Sequence, residues 1–121
     1  MSPLWEHENP ASMLGRFVEV LTEELNLPCR AGGSMTLRRR RNRRGLEPDR
    51  CYWIASAPRL QGKTHLDLRV DPPPDLAIEV GVTRSSVDRM GIYAGIGVLE
   101  VWRLDKQGLT FEILNSGSYQ A

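Results

Sequence analysis

Apolar residues recur along this chain in two different periods, and the switches between them mark its elements. In residues 11–26, "ASMLGRFVEVLTEELN", the positions Leu14, Phe17, Val18, Leu21 and Leu25 fall three or four apart. That spacing predicts one helix with these five side chains on a single buried face. Ser12 stands where an N-cap is expected, and Leu27-Pro28 marks the end. "GGSMTLR" reads as a turn followed by a short strand, and the arginine run with "GLEPD" as a second turn. "RCYWIAS", residues 50–56, is aromatic and β-branched enough for a strand. Residues 57–70 carry no clear period and read as a loop, with room for a short irregular strand.

The prolines of "DPPPDLAIEV" stop the chain at residues 72–74, and "DLAIEV" then runs almost without polar alternation. A strand of that kind is central and covered on both faces. "TRSSVDRMGIYAGIG" returns to helical spacing. Ser85 and Asp88 suggest a capping box, Val87, Met90 and Ala94 share a face, and a glycine closes the segment. "VLEVWRL" and "LTFEIL" are two further strands joined by the turn "DKQG". The pattern predicts a mixed sheet flanked by at least two helices, and 121 residues suffice for one domain.

Composition changes this picture little: hydrophobic residues make up 40%, charged residues 26%, and the net charge is +1. No apolar run reaches membrane-spanning length, and "MSPLWEHENP" lacks the layout of a signal peptide, so a cytoplasmic protein without a membrane partner is expected. Cys29 and Cys51 form no motif, and His7 and His65 have no zinc-type spacing; neither a disulfide nor a zinc site is expected. The charge distribution is more telling. Residues 38–44 hold Arg38, Arg39, Arg40, Arg41, Arg43 and Arg44 around one asparagine. Such a run is either a solvated hairpin tip or a patch whose guanidinium groups bind phosphates, and the run alone does not choose.

Glu79 poses the sharper question, because a carboxylate inside a buried strand is costly without a partner. Asp75 lies four residues earlier on the same strand, roughly 13 Å away at about 3.3 Å per residue. A hard divalent cation takes its oxygens at about 2.0–2.6 Å, so Asp75 and Glu79 cannot share one ion. Asp75 is better read as a strand-start residue. A neighbouring strand about 4.8 Å away could supply the partner, and "GLEPDRCYWI" offers Asp49 and Glu47 at a strand entrance. An aspartate there beside a glutamate in the next strand is the minimal Mg²⁺ pair of a phosphodiester-cleaving site. The alternative is a lone Glu79 hydrogen-bonded to backbone or facing water.

The blocks "LTEELNLPCRAGGSMTLR", "GLEPDRCYWI", "DPPPDLAIEV" and "TRSSVDRMGIYAGIGVLEVWRLD", in this order between about residue 6 and residue 114, resemble the Uma-type ("Uma two") family of restriction endonucleases, within the PD-(D/E)xK nuclease superfamily. The resemblance implies an α/β restriction-endonuclease-like domain over residues 1–121, with a mixed β-sheet flanked by α-helices. It also implies a Mg²⁺-dependent nuclease with Asp49 and Glu79 as metal carboxylates. The superfamily lysine is expected two residues after the glutamate, where this chain has Gly81. The resemblance moves the cationic role to the following helix, at Arg89, with Tyr93 one turn later; the bland reading of Arg89 is an exposed helix arginine. Position 81 is often polar or acidic in relatives, so its glycine also removes a candidate ligand. Relatives extend further at both ends, which implies a shortened member with an exposed sheet edge or a dependence on a partner. Glu8 or Glu19 could supply the helix carboxylate some members use, although Glu19 reads better as solvent-facing.

The expected function is therefore Mg²⁺-dependent hydrolysis of nucleic-acid phosphodiesters, DNA in the first place, with Asp49, Glu79 and Arg89 catalytic. The arginine run would hold the nucleic acid, and a homodimer is among the expected assemblies. The competing expectation is a non-catalytic nucleic-acid-binding or assembly module that keeps the fold. Gly81 favours the second and the Asp49/Glu79 pair the first.

Overall fold

The computed structural model describes residues 3–38, 45–81 and 89–121, with side chains from residue 9 onward. In chain order the elements are α1 (Pro3–Glu24), β1 (Arg30–Ala31), β2 (Leu37–Arg38), β3 (Gly45–Leu46), β4 (Arg50–Trp53), β5 (Leu76–Val80), α2 (Arg89–Ile96), β6 (Glu100–Asp105), β7 (Gly108–Asn115) and β8 (Ser118–Gln120). Six strands form one sheet in the order β1-β4-β5-β6-β7-β8, while β2 and β3 pair separately. β5 and β6 run parallel and the other neighbours antiparallel, so the sheet is mixed. A parallel pair needs a long crossover, and α2 lies within it. This is the α/β architecture expected of a restriction-endonuclease-like domain.

All five residues of β5 are buried, as the unbroken apolar run predicts for a strand covered on both faces. Leu76, Ile78 and Val80 join Tyr52 and Trp102 in a core under Ala11 and Val18 of α1. Ala77 faces the other way, into a core with Ile92, Tyr93 and Ile96 of α2, Leu37 and Leu46 of the β2–β3 pair, and Val101. Asp75 ties the strands together at their start, as a strand-start residue should. Its N–H donates to Tyr52 O at 2.9 Å, its carbonyl accepts from Glu100 N at 3.1 Å, and its Oδ2 accepts from Ile54 N at 2.6 Å and Ser56 N at 3.1 Å.

The helix α1 departs from the expected face. It starts at Pro3 and runs through Pro10, so Ser12 is an interior residue whose Oγ accepts from Arg50 at 3.2 Å. The face against the sheet is Ala11, Leu14, Val18 and Thr22, so two of the five expected residues pack inward, whereas Phe17, Leu21 and Leu25 are exposed. Gly15 explains the rotation: a Cβ there would stand 2.5 Å from the Tyr52 hydroxyl oxygen. The helix sits so close to β4 that a glycine is needed at the contact, and Phe17, Leu21 and Leu25 turn outward. Its C-terminus closes as a Schellman turn around Asn26 at φ 59°, with Leu27 N donating to Thr22 O at 2.8 Å and Asn26 N to Glu23 O at 3.1 Å.

Other expectations fare differently. Gly97, at φ 97°, ends α2 as expected, but the buried face is Ile92, Tyr93 and Ile96 instead of one through Met90 and Ala94. Ser85, Val87 and Asp88 lie outside the described residues. Residues 57–70 contain a 3₁₀ turn at Ala57–Leu60 and no strand. They are held by buried Leu60 and Leu68, by Arg30 donating to the Leu60 carbonyl at 2.9 Å, and by a 2.6 Å ion pair from Lys63 to Asp71. β8 follows a turn with Ser116 at φ 54° and Gly117 at φ 88°, the two positive angles of a type I′ hairpin. Cys29 and Cys51 are free, the first exposed and the second a buried strand residue.

Gly15→Ala should lower the melting temperature although alanine is the better helix former by about 1 kcal/mol. In a Tyr52→Phe background the obstructing oxygen is gone, so the same substitution should become neutral or stabilising. Melts of the four proteins measure that coupling, and additive effects would mean that the Gly15–Tyr52 approach does not position α1.

Candidate active site on the α2 face of the sheet

Strand parity delivers the site. With Leu76, Ile78 and Val80 committed to the α1 core, Ala77 and Glu79 must point toward α2. Glu79 is 6% exposed, so its carboxylate needs partners from the helix that covers it. Arg89 and Tyr93 supply them. They stand one turn apart on α2 and therefore on one face. Arg89 Nη2 donates to Glu79 Oε2 at 2.5 Å, and the Tyr93 hydroxyl donates to the same oxygen.

Asp49 enters from the adjacent strand. β4 and β5 pair with Arg50 opposite Ile78, and one step further the register sets Asp49 opposite Glu79. Asp49 Oδ2 accepts from Val80 N at 2.7 Å, and its own N–H donates to Ile78 O at 3.0 Å, so the residue is fixed on both sides. Glu47 is exposed, but its carbonyl lies 3.5 Å from Arg89 Nη2, at the limit of a hydrogen bond. The guanidinium thus spans from Glu79 to the Glu47–Asp49 strand entrance. Among the described residues, the buried Arg89 Nε has no hydrogen-bond partner.

The electrostatics fix the roles these groups can take. Burial pulls the Arg89 guanidinium down, but the Glu79 hydrogen bond and charge outweigh it and the net shift is upward. Burial first, and then the Glu79 charge, push the Tyr93 hydroxyl well above its ordinary range. Arg89 is therefore a permanent cation and Tyr93 a permanent neutral donor; neither can accept a proton. They orient Glu79 and offset its charge.

The remaining candidates are scattered. Arg38 is exposed at the end of β2, where it pairs with Gly45. Arg39, Arg40, Arg41, Arg43 and Arg44, between those paired residues, lie outside the described residues, as does the Glu8 side chain. Glu19 is exposed, as expected. Gly81 has φ 74°, a left-handed conformation in which a lysine would be strained. Sequence pattern did not reveal the convergence of Arg89 and Tyr93 on one oxygen of Glu79. Their spacing of four was the available signal; the strand facing them was not.

A family model described as "Putative restriction endonuclease", Uma2, matches residues 1–121. The chain belongs to the Uma2 family. No curated protein and no solved structure matches it. The family's description supports a nuclease-type function acting on nucleic acid. In this Uma2 chain the donor set suits a hard cation: two carboxylates from adjacent strands, with Asp49 Oδ1 and Glu79 Oε1 outside the hydrogen bonds seen among the described residues. No group of three or more histidine, cysteine, aspartate or glutamate residues gathers among the described residues. An ion held by Asp49 and Glu79 would complete its shell with water or phosphate, as Mg²⁺ does. Among the described residues no helix is long and apolar enough to cross a membrane.

Removing one partner of this ion pair strands the other. Arg89→Met should cost about 2–3 kcal/mol, less than for a fully buried pair because Arg89 keeps 27% of its side-chain surface exposed. Tyr93→Phe should cost about 1–2 kcal/mol. The Glu79→Gln/Arg89→Met double variant should lose clearly less than the sum of its two single variants in urea denaturation. Strict additivity would mean that the pair is not coupled.

Proposed function

We propose that this Uma2 chain is a Mg²⁺-dependent endonuclease of the PD-(D/E)xK type that hydrolyses phosphodiester bonds, in DNA in the first place, in the cytoplasm. The observation that carries the reading is Glu79, buried in the central strand, ion-paired to Arg89 and opposite Asp49 in register. An apolar residue at that position would pack without compensation, so a buried carboxylate there supports a role beyond packing.

Asp49 and Glu79 would hold the ion, which when bound supplies Lewis acidity and lowers the pKa of water. The protein's own groups do the rest. Tyr93 and Arg89 keep the Glu79 carboxylate in one orientation. Arg89 remains charged throughout, and that charge would stabilise a phosphate oxygen as negative charge builds there. It contributes charge and cannot act as a base. The arginines at 38–41, 43 and 44 would grip the backbone without reading sequence.

A second reading, a nucleic-acid-binding module without catalysis, draws support from Gly81, whose φ of 74° excludes an unstrained lysine. Nicking of supercoiled DNA separates the two. The nuclease reading expects cleavage with Mg²⁺ and none with chelator, and losses on the order of 100-fold or more in Asp49→Asn and Glu79→Gln. It also expects Mg²⁺ to raise the melting temperature of the native chain and of neither variant. DNA binding without nicking, indifferent to chelator, would favour the module.

Replacing Arg39, Arg40, Arg41 and Arg43 by serine should weaken DNA binding across all sequences. The slope of log affinity against log salt should become shallower by about 0.9 for each phosphate no longer neutralised. An unchanged slope would leave the run a solvated tip.

A further inference from the structure

α1 carries two apolar faces, and the sheet uses the narrower one. Ala11, Val18 and Thr22 are buried, while Met13, Phe17, Val20, Leu21 and Leu25 repeat at helical spacing on the outer side, each between 39% and 64% exposed. β7 continues the stripe. Phe111 pairs with Trp102, which belongs to the α1 core, so alternation brings Leu109, Phe111 and Ile113 onto the same side, 40% to 54% exposed. The Trp102 ring joins the two halves, with its centroid 6.1 Å from that of Phe17 and 5.0 Å from that of Phe111. A cleft beside it is lined by Leu21, Leu25, Leu27 and Leu99.

The size of this surface is informative. Each half-exposed large side chain leaves roughly 80–100 Å² in water, which puts the patch at about 700 Å². The largest apolar patch on an ordinary monomer is about 300–600 Å², and one side of a standard protein interface is about 800 Å². Its charges point to the occupant. Arg16 and Glu23 stand seven residues, two turns, apart on one rim of the stripe, and Glu24 follows at the same end. If two such helices met in parallel, the two-fold axis would run along them and set Arg16 and Glu23 of each copy against the other's opposite, apolar rim at Leu21 and Leu25. Antiparallel, about a two-fold axis near Val20, Arg16 of each copy meets Glu23 and Glu24 of the other. The stripe is self-complementary in one orientation, as an isologous interface requires.

We infer that α1 and β7 form the interface of a symmetric homodimer, with the two α1 helices packed antiparallel beside Trp102 and Phe111. Glu79 lies on the opposite face of the sheet, so this inference is independent of the nuclease reading, and its test does not touch that site.

Sedimentation equilibrium across the micromolar range should give twice the chain mass for the unmodified protein. Phe17→Glu should weaken association at least 100-fold while circular dichroism stays unchanged, since that side chain is already 54% exposed. Arg16→Glu should weaken it about tenfold, and adding Glu23→Arg should restore it. Val20→Cys in a Cys29→Ser background should cross-link to itself on mild oxidation. A native chain of single mass throughout would assign the patch to some other partner and overturn the proposal. So would a dimer indifferent to Phe17→Glu, or a double charge reversal that fails to restore association.

Discussion

A carboxylate buried in the central strand of a sheet must be matched by donors from outside that strand, and the position of α2 follows from this. β5 has its backbone groups committed to β4 and β6, so Glu79 is answered by Arg89 and Tyr93 from the helix above it. Tyr93 is completely buried, and its hydroxyl would be costly there without an acceptor. The need is mutual: carboxylate and phenol are each tolerable because the other is present. Arg89 completes the arrangement at the rim, where part of its guanidinium still meets solvent. Sliding α2 by one turn would leave a charge and a hydroxyl buried without partners. The site and the packing of the crossover are thus held by one set of interactions.

The pairing of Glu79 with Asp49 depends in turn on register, and register is set at the other end of the strand. Slipping β5 by one residue would turn Glu79 into the α1 core and bring Ile78 out beneath α2. Asp75 resists that slip. Its backbone joins β4 to β6, and its carboxylate takes the N–H groups of Ile54 and Ser56 and the Ser56 hydroxyl, the last at 2.8 Å. A second carboxylate, four residues from the first and just before the strand, fixes the register so that the first can be placed. The sequence pattern made them look like a couple; spacing showed that they could not share a ligand.

What could be read from the sequence was what local pattern encodes. The strands β4 to β7, the closing glycine of α2, and the candidates Asp49 and Glu79 follow from residue type and order, and the candidate Arg89 from the family resemblance. Interactions that depend on close approach were hidden. Hydrophobic periodicity is blind to Ala11 and Gly15, so it assigned the buried face of α1 to five large residues, and the Gly15–Tyr52 approach leaves only Leu14 and Val18 of them inward. β8 is three residues long with one large apolar side chain, Tyr119, whose hydroxyl reaches Val98 O at 2.5 Å. Residues 57–70 are ordered by an ion pair and hydrogen bonds between positions that share no period.

The conformation at residue 81 bears on why the cation of the proposed site comes from a helix. A lysine two positions after Glu79 would share its face as long as the strand continued. Here the strand ends at Val80, and Gly81, at φ 74°, turns away while its N–H donates to Leu104 O at 2.7 Å. Parity no longer aims a side chain at Glu79, and a residue with a Cβ would carry about 1–2 kcal/mol of strain at that angle. A cation for this carboxylate must then come from whatever crosses the same face, and α2 does so with Arg89. The exchange alters the chemistry available. A lysine amine can lose its proton when desolvated, whereas a guanidinium keeps its charge in any protein environment. If the site cleaves phosphodiesters, the proton of the attacking water cannot go to Arg89 or Tyr93 and must pass to a carboxylate, to the substrate or to solvent.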